Sequence, residues 1–146
     1  MHASRRRSLT TLAGGGLALA GVSALTAPMR TLAPCPDRPN CVSSLASEAA
    51  RRVEPIAYRG EAPAAQARLA AAIEALPRSR IVEQTPGWIA AEFRSWLFGF
   101  VDEAQFALDP AAGVFQVRSA ARTGYWDLGV NRQRVEALRA ALAAER

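Results

Sequence analysis

Past its second residue this sequence has no histidine, and it has no lysine anywhere. The lone His2 leaves the body of the chain without an imidazole. That excludes Ser-His-Asp and Cys-His catalysis, HExxH chemistry and histidine-ligated metals there. Cysteine is scarce too, with only Cys35 and Cys41. Nor is there an excess charge of one sign where a partner would feel it. All 18 basic residues are arginines, and Arg5, Arg6, Arg7 and Arg30 precede Cys35 in a stretch without acids. From Cys35 onward 14 arginines face 13 acids, which leaves +1. A body so close to neutral lacks the broad positive field on which phosphate backbones act, so nucleic acid is excluded as a partner.

What is present begins with an export leader. Arg5–Arg7 form a basic start, and an apolar stretch follows from about Leu9 to Ala27, diluted by Gly14, Gly15 and Gly16. Arg6-Arg7-Ser8-Leu9 resembles the twin-arginine pattern. Val22-Ser23-Ala24 offers a cleavage site, and the competing reading is an uncleaved anchor long enough to cross a bilayer. Residues 1–27 are therefore assigned to a leader or anchor and 28–146 to one domain. The expected location is the periplasm, with membrane contact only if the leader stays attached. Pro34 before Cys35 argues against lipidation of that cysteine.

In an oxidising compartment, cysteines six apart are expected to pair across "CPDRPNC". A structural clasp and a regulatory redox pair both satisfy that spacing. Two thiolates without histidine make no zinc site, and the spacing is not the CxxC of a thioredoxin-like centre. No metal and no cofactor are expected.

Along the body, "RVEPIAYRG" reads as an edge strand and "VSSLASEAARR" as a loop or short helical turn. "EAPAAQARLAAAIEALP" is helical, with Pro63 in the first turn, Leu69, Ile73 and Leu76 on one face and Pro77 at the end. "RSRIVEQT" and "WIAAEFRS" form a hairpin around Pro86-Gly87. "FVDEAQFAL" and "GVFQVRS" form another around "DPAAG". The last helix carries Val135, Leu138 and Leu142 on one face, with Asn131 as its expected N-cap. The predicted fold is α+β, a largely antiparallel sheet in β-α-β-β-β-β-α order with helices on one face.

Alternation puts Phe100, Asp102, Ala104, Phe106 and Leu108 on one strand face, and Phe115, Val117 and Ser119 on the next strand's inner face. Asp102 is the anomaly. A carboxylate among apolar side chains needs a counter-charge, so an arginine is expected to reach it.

The densest stretch is "SAARTGYWDLGVNRQR" at 119–134. With "CPDRPNCVSS", "EFRSWLFGFVDEAQF" and "VRSAARTGYWDLGVNRQRVEALR" it resembles an uncharacterised bacterial and plant family, domain of unknown function 1499, from about Leu32 to Leu142. Here Asp102-Glu103 replaces that family's paired aspartates, and Ala121 stands where a serine is frequent. The resemblance implies a fold unit and no particular activity. From the residues themselves, Arg118, Arg122 and Arg132 are candidates for forked contacts to a carboxylate or phosphate, with Tyr125 and Trp126 as an apolar wall. Arg94, Asp102, Asp127 and Asn131 complete the candidate set. The expected partner is a small anionic ligand or an envelope protein. The alternatives are a structural or membrane-proximal partner, favoured by an uncleaved leader, in which the same residues form a bracing network, and a histidine-free enzyme using Asp102 or Asp127 as base.

Overall fold

The computed structural model of the protein describes residues 30–144. The leader, its arginines, His2 and the candidate cleavage site at Ala24 lie outside the described residues. Six strands form one sheet and two helices cover it: β1 (Cys41–Ser43), β2 (Ile56–Ala57), α1 (Ala62–Ala75), β3 (Ser79–Thr85), β4 (Trp88–Arg94), β5 (Val101–Asp109), β6 (Val114–Ala121) and α2 (Val130–Ala144). The predicted α+β class and strand–helix order stand, with one three-residue strand, β1, added ahead of them.

The sheet order is β1-β6-β5-β4-β3, and every strand pairing is antiparallel. Two tight hairpins set the register of the long strands. Thr85 pairs with Trp88 across Pro86-Gly87, where Gly87 takes φ 79°, a value favoured by glycine at the third turn position. The side chain of Gln66 on α1 locks this turn. Its amide nitrogen donates to the Thr85 carbonyl (2.7 Å) and its oxygen accepts from the Gly87 N–H (2.8 Å). At the second hairpin Asp109 accepts from the Ala112 N–H and pairs with Val114. Two short strands share β6: β1 pairs with Arg118–Ala120 and β2 with Val114–Phe115.

The core lies between the helices and one sheet face. Leu69 and Ile73 of α1, together with Val135 and Leu138 of α2, meet Ile89, Ala91, Phe93, Ala104, Phe106, Phe115 and Val117. Each large side chain fully withdrawn from water there contributes roughly 1.5–3 kcal/mol. The opposite face is partly covered by the chain entering the fold. Arg30 stacks 4.3 Å over the Trp88 ring and pairs with Glu83. Leu32 packs on Trp88 and Ala107, and the Ala33 N–H donates to Gln105 (3.0 Å). This strap ends at Cys35, which is disulfide-bonded to Cys41, the first residue of β1. The expected pairing is present, and the Cα atoms are 5.7 Å apart.

Phe100 departs from the expected face pattern. It lies just before β5 and is exposed, so the inner face starts at Asp102.

Candidate functional site

The start of β5, the ends of β4 and β6 and the beginning of α2 meet at one end of the sheet. Phe93 pairs with Asp102, Asp102 with Ala121, and the Arg122 N–H bonds the Val101 carbonyl. The candidate residues all fall at or near this end, but in three separate environments.

On the helix side, Asp102 has the arginine that its setting requires. Arg134 donates to Asp102 Oδ2 at 2.7 Å, and both side chains are about nine-tenths buried. The guanidinium stacks 4.3 Å over Phe93, and its other terminal nitrogen donates to Asn131 Oδ1 (2.7 Å). Ser119 donates to the same oxygen at 2.6 Å. Asn131 in turn donates through Nδ2 to Asp127 Oδ2 (2.8 Å). The expected capping role of Asn131 is corrected here. Asp127 caps α2, accepting from the Gly129 and Asn131 N–H groups at 3.0 Å each, while Asn131 lies inside the first turn as a fully buried hub. Arg94, the exposed last residue of β4, borders a cavity of roughly 410 Å³ at this end together with Phe93, Asp102 and Arg134.

The outer face carries an ionic ladder. Glu92 accepts from Arg80 (2.8 Å) and Arg122 (2.6 Å), and Arg122 also reaches Glu103 at 2.7 Å. Hydrogen bonds from Arg80 and then Arg122 hold the Glu92 carboxyl down to about 2, and its two acids push Arg122 upward. Arg118 differs from them. Its Nε donates to the Pro34 carbonyl of the strap (3.3 Å), and burial pushes its pKa down against the opposing pull of Glu103. Arg118, Arg122 and Arg38 share a cavity of roughly 450 Å³ between strap and sheet, with Glu103 as its acid.

The third environment lies beyond the disulfide loop. Arg132 donates to the carbonyls of Arg52 (2.9 Å) and Ala50 (2.8 Å), fastening α2 to the segment after β1. With Arg51, Tyr125, Trp126 and Asp127 it borders another cavity of roughly 450 Å³. Tyr125 and Trp126 are exposed there. The structure thus brings Arg118 and Arg122 together, places Arg132, Tyr125 and Asp127 in a neighbouring cavity, sets Asp102 on the helix face, and leaves Arg94 exposed at the end of β4.

A family model described as "Protein of unknown function (DUF1499)" matches residues 31–142. The chain belongs to this family. Among curated proteins none matches. The DUF1499 match spans the strap, both hairpins and nearly all of α2, so the three environments lie within the family's unit.

Sequence reasoning missed Arg38 and Arg134 in this DUF1499 fold. Arg38 sits in the cysteine loop, whose reading as a clasp or a redox pair concerned the two thiols alone. The expectation of an arginine for Asp102 was available from alternation, but its identity depends on how α2 lies across the sheet. Among the described residues no group of three or more His, Cys, Asp or Glu side chains is placed to hold a metal ion.

Proposed function

We propose that this DUF1499 protein is an exported, non-catalytic domain that binds a small carboxylate or phosphate in the outer-face cavity. Arg118 carries the reading. Its guanidinium is partly buried and bonds a backbone carbonyl rather than a carboxylate, so it retains donors for an incoming anion. Arg38, held loosely to the Gly124 carbonyl at 3.5 Å, supplies a second cation. Arg122 is already paired with two acids, Glu92 and Glu103, so it shapes the wall and contributes less net charge. The twin-arginine-like leader and the cysteine pair support a periplasmic setting, with attachment to the inner membrane if the leader stays uncleaved.

The enzyme alternative has less support. Asp102 is held by Arg134, and both oxygens of Asp127 accept from the start of α2. Both carboxylates thus have structural partners, Arg134 for Asp102 Oδ2 and the start of α2 for Asp127.

Native mass spectrometry of the protein recovered from its host's envelope tests the binding reading. The expected result is a mass above that of the oxidised chain, lost on denaturation, and absent from an Arg118→Met variant that melts like wild type. A bare wild-type chain, or an adduct that survives the substitution, overturns it.

A further inference from the structure

Ten large apolar side chains are exposed among the described residues, and only Leu45 and Val82 lie away from the sheet end described above. Four others, Trp96, Leu97, Phe98 and Phe100, crowd the β4–β5 turn. Of the remaining four, Tyr125, Trp126 and Leu128 occupy the β6–α2 connection beside it, and Val130 opens α2. The first turn is closed rather than loose. Ser95 N–H bonds the Phe100 carbonyl (2.8 Å), Ser95 Oγ accepts from the Phe100 N–H (3.0 Å), and the rings of Phe98 and Phe100 lie 5.6 Å apart. In the second loop Leu128 holds φ 57°, a left-handed conformation unfavourable for leucine, while remaining exposed. Apolar exposure concentrated this way marks a contact surface.

The charges around it point to what it contacts. Arg38, Arg78 and Arg94 are exposed at this end, and Arg38 and Arg78 bond backbone carbonyls. The acids nearby are engaged: Asp102 by Arg134, Glu92 and Glu103 by Arg122, and Asp37 by Arg51. Tryptophan and tyrosine favour the boundary between lipid headgroups and acyl chains, and arginine reaches phosphates from there. A second copy of this chain would set these arginines against their own kind without added counter-charge. The apolar groups also sit on two loop tips rather than on a flat face.

We infer that this end docks into an anionic bilayer surface, with Trp96, Leu97 and Phe98 in the interfacial layer and Arg38, Arg78 and Arg94 on lipid phosphates. The chain enters the described fold at the opposite end of the sheet, where Arg30 rests on Trp88.

The test uses the full chain with vesicles of phosphatidylglycerol and phosphatidylcholine whose acyl chains carry bromine, read by tryptophan fluorescence. Wild type is expected to be quenched and blue-shifted, and Trp96→Phe to lose a large share of the quenched signal. Leu97→Ser/Phe98→Ser should weaken partitioning at least about tenfold in a lipid titration of the total tryptophan emission, since each side chain withdraws apolar area from water. Arg78→Gln/Arg94→Gln, at two exposed side chains, should remove the preference for phosphatidylglycerol. The inference is overturned if Trp96 stays unquenched, which would assign the tip to a protein partner. Full quenching in the serine variant overturns it too, because the leader alone would then hold the chain to lipid. A lipid-free blue shift that grows with protein concentration would show the tip covered by a second copy instead.

Discussion

Replacing Arg134 with methionine would leave the Asp102 carboxylate beneath α2 without its cation while keeping apolar cover over Phe93. The pair is 2.7 Å apart, with side-chain exposures of only 10% and 12%. Removing one partner of such a pair costs about 3–5 kcal/mol, because the remaining charge stays desolvated. Asp102 borders a cavity, so water can relax part of that penalty, and we expect the lower figure, about 3 kcal/mol. For a domain of this size that corresponds to a fall of roughly 12 °C in melting temperature. Urea unfolding followed by circular dichroism measures it. The decisive companion is the double variant Asp102→Leu/Arg134→Met, which removes both charges and should lie within about 1 kcal/mol of wild type. If the single change costs less than about 1 kcal/mol, or the double costs as much as the single, the pair is not what joins α2 to β5.

Acid stability provides a second prediction. Glu92, whose folded pKa falls from 4.5 to about 2 through its bonds to Arg80 and Arg122, contributes stability in full above about pH 4.5, and that contribution fades as pH drops toward 2. Urea midpoints between pH 2.5 and 6 should fall less steeply for Glu92→Gln than for wild type. Some slope should persist, because Arg30 holds Glu83 down in the same direction. Equal slopes would refute the assignment. The disulfide gives the third. Cys35→Ser/Cys41→Ser should lose about 2 kcal/mol by the loop-entropy estimate for its short ring. It should also speed hydrogen exchange at the Ala33 N–H, whose bond to Gln105 lies two residues from the released tether. Unchanged exchange at Ala33 would show that the strap is held from elsewhere.

The elements with strong local signals were legible in the sequence. Alanine-rich α1, bounded by Pro63 and Pro77, and the two hairpins at Pro86-Gly87 and "DPAAG" fall where periodicity and turn chemistry put them. β1 was not legible. Cys-Val-Ser has no strand signal of its own, and its pairing with β6 spans some 75 positions of chain. The cap of α2 was misplaced by four residues because Asp127 and Asn131 both suit the position. The choice fell to burial, since Asn131 is fully enclosed beside Ser119 and Arg134. For the candidate site, residue type was readable and grouping was not. Arg118 and Arg122 share a cavity because both lie toward the outer face, whereas Arg132 follows the rotation of α2 toward the segment after β1. The apolar tip had a signal that went unread as a site: "SWLFGF" places four large apolar residues in one turn, more than a turn can turn inward.

The two edges of the sheet limit how this protein meets others. One edge is divided between β1 and β2, three and two residues long, too short to template an added strand. The other, β3, shifts register between Ile81 and Glu83, and Arg80 and Glu83 on it are tied to Glu92 and Arg30. An extended peptide laid along either edge would find no long, even ladder of free N–H and C=O groups. Backbone-to-backbone recruitment is thereby closed off. On the readings proposed above, association falls instead to side chains at the loop end and the strap cavity, where single substitutions would alter it without disturbing the sheet.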